Sequence, residues 1–479
     1  MLVIVTVFDQ DHGNRVQVSI SVNAIMDARS FLARHNRRLP RYTSYPTAPL
    51  FSSRVGPDIL AGWLTQIPGR ARLSLYVHVP FCDKLCWFCG CNTTVVHSVS
   101  ALERYAEAVQ IEIGRVAAAI GRRLPVAHVH WGGGTPTSLP APLMRAIDTA
   151  IGFHFDTSNE TEVAIEIDPR TLPSDAAATL TALRITRVSL GVQDFAPAVQ
   201  TAIGRHQSLE ETRSAAQAAR KAGATSVNID LVYGLPYQTV ESLTATISSV
   251  LTLKPDRVAL FGYAHVPWIQ KRQQVLAEQA LPDFQARFAQ QERAAELLVA
   301  AGYCRIGLDH FAKPGDRMAE ASGTPALTRN FQGYTVDAGD ALIGFGASAI
   351  SSLPQGYAQN ETPTANYLRA IEAGGLATAR GIELSCEDRL RRTIIERIMC
   401  DCRVDIAAMA EDARMSPVIF NDALQALDTL AKDGLVCRDG WTVLVPERGR
   451  PFLRNVAACF DSYLNMTDSS RTMRHAAAI

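Results

Sequence analysis

From about residue 73 the chain alternates short, mainly apolar runs with longer amphipathic ones. The short runs are Leu73 to Phe81, Val126 to Trp131, Val163 to Ile167, Thr186 to Val192, Ser226 to Tyr233 and Arg257 to Tyr263. They have strand length, favour β-branched and aromatic residues, and stop at Gly, Pro or Asp. Between them, alanine-rich segments such as Ala101 to Gly121, Ser208 to Ala222 and Thr239 to Leu253 repeat apolar residues at helical spacing. Strand, helix, strand at these separations predicts parallel βαβ units and the α/β class. Polar residues recur where successive strands end, which predicts a partial (β/α)6-type barrel rather than a flat doubly wound sheet.

Beyond about residue 356 the strand pattern fades and helical patterns take over, at Asp388 to Met399, Val404 to Asp412 and Phe420 to Lys432. The stretch Asp433 to Val436, the turn Asp439-Gly440 and the run Trp441 to Val445 then predict a small hairpin, making a mostly helical, winged-helix-like C-terminal domain. Four regions result: an N-terminal extension (1–28), a segment covering the active site (29–72), a barrel (73–355) and the helical domain (356–479). A chain of 479 residues has room for two cores, since one core stops growing at roughly 250 to 300 residues.

Lysine plus arginine equals aspartate plus glutamate, 47 of each. No global field therefore draws the protein to nucleic acid or an anionic membrane, and a structural or lid role suits the winged-helix-like domain. An anionic substrate must be met by locally placed basic groups. No apolar run approaches the ~18 to 20 residues of a membrane helix, and Val3 to Val7 lacks the flanks of a secretion signal, so a cytoplasmic protein is expected.

Four of the ten cysteines crowd into Cys82-Asp-Lys-Leu-Cys86-Trp-Phe-Cys89-Gly-Cys91, directly after the first strand. In a reducing compartment such clustering points to metal rather than disulfides. Cys82, Cys86 and Cys89 in the order Cys-x3-Cys-x2-Cys can each take one iron of a cubic 4Fe-4S cluster and leave the fourth iron open, as catalytic metal centres do. The alternatives are a zinc knot and ordinary buried thiols. A zinc knot usually needs a second Cys-x2-4-Cys knuckle, whereas Cys400 and Cys402 are only two apart. Cys304, Cys386, Cys400, Cys402, Cys437 and Cys459 read as buried thiols, and His128 and His130, on one side of a strand with no third ligand nearby in sequence, as hydrogen-bonded core residues.

After the second strand comes Trp131-Gly-Gly-Gly-Thr-Pro136, whose backbone can approach a ligand closely. Later strands carry Glu166 and Asp168, Gln193 and Asp194, and Asp230. A polar group inside an apolar strand is costly to bury without a partner, so their shared position favours ligand binding.

The cysteine triplet after the first barrel strand, with Phe88 just before the last cysteine, resembles the signature of the radical S-adenosylmethionine enzymes. That resemblance implies S-adenosylmethionine chelated to the open iron. An electron from the cluster would then release a 5'-deoxyadenosyl radical able to take hydrogen from carbon. It also implies that Tyr76, Gly133, Glu166 and Ile350 contact this molecule. Phe88, Gly134, Thr135, Gln193, Arg205, Asp230 and Ala264 would contact a second S-adenosylmethionine, with Asp230 on ribose hydroxyls and Arg205 on a carboxylate.

Further stretches narrow the resemblance: Pro40 to Ala48, Phe261 to Pro267, Gly307 to Ala312, Arg329 to Thr335 and Arg454 to Asp461. With Cys91 they resemble the oxygen-independent coproporphyrinogen III oxidases, from about residue 30 to 470. This implies an oxidoreductase of porphyrin and haem biosynthesis, a monomer, that converts two propionates of coproporphyrinogen III to vinyl groups with two S-adenosylmethionine and a low-potential electron donor. Related haem chaperones are the alternative, but they lack the fourth cysteine and the segment resembling Arg41 to Thr47. Cys91 reads as a catalytic neighbour of the cluster, or else as a small buried apolar residue. Arg41 and Arg329 are candidates for the substrate carboxylates, with Arg41 to Tyr45 folding over the porphyrinogen. Residues 1–28 lie outside the resemblance, and both an added strand-like extension and a start at Met26 remain open.

Overall fold

The computed structural model describes residues 2–8, 15–21, 30–337 and 339–464. Met26 lies outside them. Strands β1 (Leu2–Phe8) and β2 (Arg15–Ser21) pair as an antiparallel hairpin.

Six parallel strands follow at the expected places: β3 (Leu73–Val79), β4 (Val126–Gly133), β5 (Glu162–Ile167), β6 (Arg187–Gln193), β7 (Ser226–Tyr233) and β8 (Arg257–Gly262). They read as mainly apolar runs because helices cover the sheet, and in β3 all seven residues are buried. The covering helices are bounded by ordinary capping chemistry. Ser98 accepts from the Ala101 amide to open Val99–Ile120, which closes at Gly121 with φ +73, where only glycine is unstrained. Ser208 and Glu211 form a reciprocal capping box on Leu209–Lys221.

The sheet extends further than the pattern predicts. Beyond β8 it adds β10 (His310–Ala312) and β9 (Cys304–Ile306), while β11 (Thr328–Asn330) and β12 (Gly333–Thr335) form a separate ribbon. On the other side β13 (Ala341–Phe345) lies parallel to β3 and carries the antiparallel strands β14 (Ile350–Leu353), β15 (Gly356–Asn360) and β16 (Thr378–Glu383). Two strands of this sheet thus lie from residue 356 on, where only helices and the small hairpin near residues 433–445 were expected. Their sequences, GYAQN and TARGIE, do not alternate. What makes them strands is close backbone approach: a Cβ on Gly381 would sit 2.1 Å from the Tyr357 carbonyl oxygen, and one on Gly356 2.2 Å from that of Ile382.

The C-terminal region has helices Cys386–Asp401, Ile406–Asp412 and Asn421–Lys432 and a small antiparallel sheet of β17 (Arg403–Asp405), β18 (Cys437–Asp439) and β19 (Thr442–Leu444). Val404, expected in a helix, is in β17. Its core also takes in the N-terminal segment through Leu32, Leu39, Tyr42 and Tyr45. Tyr42 donates to Asp461 at 3.1 Å, the Tyr45 hydroxyl lies 2.9 Å from that of Ser462, and Arg454 donates to the carbonyls of Pro40 and Leu39. The aromatics expected to fold over a substrate are therefore packing groups that clasp the two chain ends together, because burying a large ring in this core outweighs leaving it at a wet opening. No helix among the described residues is long and apolar enough to cross a membrane.

Candidate active site

The C-terminal ends of β3 to β8 surround a cavity of about 530 Å³. Cys82, Cys86, Cys89, Cys91, Phe88, Gly133, Gly134, Thr135, Glu166, Gln193, Arg205, Asp230 and Ala264 all line it, so the structure brings thirteen of the sequence-derived positions together. Tyr76 and Ile350 do not line it. Tyr76 stands just behind, its ring within 3.0 Å of where a Gly132 side chain would start, and Ile350 packs beside Phe51, Tyr357 and Leu384.

The loop after β3 is held so that its sulfurs receive hydrogen bonds. Cys86 is buried and takes N–H groups from Arg170 at 3.3 Å and Arg205 at 3.4 Å. The Cys91 amide donates to the Cys89 sulfur at 3.4 Å, and the Thr135 hydroxyl to Cys82 at 3.7 Å. Cys91 hydrogen-bonds to Cys89 and pulls that thiol down to about 6, while burial pushes Cys82 up to about 11. Cys91 is itself exposed, which removes its reading as a small buried apolar residue; its thiol is held well above the ordinary range by the same bond to Cys89. Among the described residues, no group of three His, Cys, Asp or Glu converges tightly enough to hold a single metal ion. Three thiols spaced around one cavity, each with an N–H or O–H donor, suit a larger anionic iron-sulfur cube.

The glycine turn lies against this loop. Gly133 has φ +114, and a Cβ there would strike the His78 ring at 2.7 Å; one on Gly134 would meet the Phe81 carbonyl oxygen at 2.4 Å and the Cys82 sulfur at 3.0 Å. Only bare backbone lets β4 end this close to the cysteines.

The carboxylates differ in setting. Glu166 accepts from the Gly133 amide at 3.1 Å and pairs with His130 at 3.0 Å, and these bonds outweigh burial and hold it below its usual range. Asp230 accepts from Ser189 and Asn228, each at 2.7 Å, yet burial pushes it up to about 6. Gln193 sits at φ +72, where a bulge between β6 and β7 turns it into the cavity. Arg205 was expected to meet a ligand carboxylate. Two of its nitrogens are engaged by Asp168 at 3.1 Å, while its Nε is buried without a hydrogen bond.

His128 and His130 are buried beside carboxylates, His128 next to Glu162 and Asp337, as core residues should be. The scattered cysteines divide: Cys400 and Cys402 are buried, but Cys304, Cys386 and Cys437 are exposed, because each of these three falls at the surface end of an element. Sequence reasoning missed the bond from Arg170 to Cys86 and the place of Arg287, Asp309 and Arg454 beside Arg41 and Arg329 around an adjoining small cavity. The signals in the chain were an arginine two residues after Asp168 at a strand end, and the place of Asp309 and Arg454 in the resembling stretches Gly307 to Ala312 and Arg454 to Asp461.

Residues 76–250 match the family model for the radical SAM superfamily. The chain is 46% identical over 428 residues to the oxygen-independent coproporphyrinogen III oxidase of Bradyrhizobium diazoefficiens, covering 89% of this chain and 95% of that protein. It is 39% identical to the Escherichia coli enzyme of the same name, covering 93% and 97%. The solved structure of Escherichia coli coproporphyrinogen III oxidase, a radical SAM enzyme, superposes with a TM-score of 0.84 at 38% identity, over 89% of this chain and all of that one. With this fold, this cysteine loop and relatives matched over nearly their whole length, the chain belongs to the oxygen-independent coproporphyrinogen III oxidase family of radical SAM enzymes.

Proposed function

We propose that this protein removes two propionate carboxyl groups of coproporphyrinogen III, on rings A and B, as carbon dioxide without oxygen. The products are two vinyl groups and protoporphyrinogen IX, in porphyrin and haem biosynthesis. The observation that carries the reading is that three thiols in Cys-x3-Cys-x2-Cys order share one cavity with the glycine turn and the strand-end carboxylates. When bound, the 4Fe-4S cluster and S-adenosylmethionine would supply the electron and the hydrogen-abstracting group, and each propionate would lose a hydrogen atom to that group, carbon dioxide, and one electron to an external one-electron acceptor.

The protein's own residues hold and orient these groups. Cys82, Cys86 and Cys89 ligate the cluster, and Arg170 and Arg205 stabilise the negative charge on the Cys86 sulfur. Backbone of Gly133 with Glu166 would receive the ammonium end of the first S-adenosylmethionine, with Tyr76 and Ile350 supporting it from the adjoining layer. Gln193, Arg205, Asp230 and Ala264, with Phe88, Gly134 and Thr135, would hold a second molecule. Cys91 is the exposed thiol of the loop and acts beside the reacting carbon. The reading includes a cytoplasmic monomer served by a low-potential electron donor.

The test is anaerobic incubation of reconstituted, reduced protein with S-adenosylmethionine and coproporphyrinogen III. Protoporphyrinogen IX formed with two deoxyadenosines per substrate is expected. Deoxyadenosine without porphyrinogen conversion would overturn the substrate, and tight haem binding without turnover would place the protein among the haem chaperones.

A further inference from the structure

A second, smaller cavity of about 30 Å³ adjoins the large one, sharing Arg41 and the stretch 261–264 with it. Its wall brings four arginines, Arg41, Arg287, Arg329 and Arg454, round a single carboxylate, Asp309. Each arrives from a different part of the chain: the N-terminal segment, the helix Phe284–Ala300, β11 and the helix Leu453–Ala458. A wall assembled from four elements round one point is built, not incidental.

The hydrogen bonds leave positive charge over. Arg41 donates to the Gly262 carbonyl at 2.7 Å and Arg287 to that of Tyr263 at 2.9 Å. Carbonyls solvate a guanidinium but do not neutralise it. Among the described residues Asp309 is the only carboxylate in the wall, and one of its oxygens is already 2.8 Å from His310. Glu396, nearby, accepts from the Arg329 main-chain amide and not from its side chain.

Arg329 is the sharpest case. Its side chain is 4% exposed and stacks 4.4 Å from the Tyr334 ring centroid. Nη1 lies 3.5 Å from Asp309, close enough for attraction but without hydrogen-bond geometry, and both Nη1 and Nε are buried without a hydrogen bond. The Nε of Arg287 is in the same condition. Buried cationic donors left open are costly unless an anion completes them. Burial and the neighbouring guanidinium of Arg41 pull Arg454 down to about 9, as expected where like charges crowd. Space is reserved too: a Cβ on Gly234 would meet the Arg287 guanidinium at 2.9 Å, and one on Gly262 would meet it at 3.4 Å.

We propose that this small cavity is a carboxylate clamp that grips a propionate the reaction leaves in place, and so sets which propionates face the cysteine loop. The inference rests on the porphyrinogen reading above. Its size decides the ligand: 30 Å³ holds the equivalent of about two or three water-sized probes, enough for one carboxylate and far too little for a pyrrole ring. Its chemistry decides which carboxylate. Planar guanidiniums bind a carboxylate through paired hydrogen bonds and stabilise its charge, whereas a reacting propionate must give up that charge as neutral carbon dioxide. A group clamped here would resist loss, so it belongs to ring C or D. Arg41 lines both cavities and is where the held arm enters the larger one.

The experiment is anaerobic equilibrium binding of coproporphyrinogen III to the cluster-loaded protein, compared with its analogue esterified on rings C and D. Wild type is expected to bind the diester about 10- to 100-fold more weakly, the scale of losing bonds to a buried charge. Arg329→Met should weaken the tetra-acid by a similar factor while barely changing the diester, with iron content and the KM for S-adenosylmethionine unchanged. Arg329→Lys should recover part of the loss, because it restores charge without the fork. Equal affinity of wild type for acid and diester overturns the clamp, as does an Arg329→Met penalty as large on the diester as on the acid. The wild-type ester comparison needs no variant to fold. Turnover of wild type, assayed in parallel, reports on the proposed reaction separately from the clamp.

Discussion

The barrel has a pocket at each end, and the two differ in how completely their charges are paired. At the N-terminal ends of the strands, a pocket of about 460 Å³ is lined by the residues that begin β5, β6, β7 and β8. There Arg257 sits 2.9 Å from both oxygens of Asp316, Arg187 reaches Glu162 at 2.9 Å, Arg317 adds a bond to Glu162 at 3.2 Å, and Lys313 lies 3.4 Å from Asp256. Every cation named here has a carboxylate partner, Arg187 and Arg317 sharing Glu162. At the C-terminal ends, Arg205, Arg287 and Arg329 keep buried nitrogens without hydrogen bonds, and Asp230 is held close to neutral pH in its titration. Cavity size does not separate the two ends, but incomplete pairing does. A stability site settles its charges within the protein, while a binding site leaves them for the ligand.

The comparison can be broken most directly at the cysteine loop. Cys86→Ala should abolish deoxyadenosine formation and lower bound iron, because a cube ligated by two thiolates loses a corner. Retained iron and activity would show that the cavity's sulfurs do not hold the cluster. At the opposite end, Arg257→Met leaves Asp316 buried and uncompensated. Chemical denaturation should show a loss of about 3–5 kcal/mol, with turnover per folded molecule unchanged. A large fall in turnover at full stability would mean that this pocket, too, is functional.

Asp230 sharpens the contrast through pH. Its carboxyl is pushed from 3.8 up to about 6 by burial, so between those values the folded chain binds more protons than the unfolded one. Stability contributed by the protonated form is complete below about pH 4 and is lost as pH rises through 6, by roughly 3 kcal/mol. Asp230→Asn lacks this loss, so the stability difference between variant and wild type should move in the variant's favour from pH 4 to 7. A difference that stays constant with pH removes the unpaired status of Asp230. The smallest effect is expected at Arg317, 66% exposed in its pair with Glu162. Arg317→Ala should change stability by less than about 0.5 kcal/mol, and a larger loss would show that even the rim of the paired end is stressed.

The six central strands were legible because they are buried on both faces and so are mainly apolar. The same logic could not reveal β15 and β16, whose pairing depends on bare backbone at Gly356 and Gly381 rather than on an apolar pattern. Thirteen cavity positions were readable from the ends of recognisable strands and from the cysteine spacing. Tyr42 and Tyr45 were misplaced, since an aromatic beside an arginine reads equally as a lid or as core, and only the partners Asp461 and Ser462 decide it.

The sequence by itself determined the βαβ order, the cysteine spacing and the glycine turn, and through them the class of chemistry. Each is local: hydrophobic period, loop length and the freedom of glycine are settled within a few residues. Only the tertiary structure decided which buried guanidinium donors are left without a hydrogen bond. Arg205, Arg287 and Arg329, whose buried nitrogens stay open, come from separate elements of the chain. Whether a guanidinium is paired depends on which carboxylate lies within about 4 Å of it, and that is set by the closure of the whole fold.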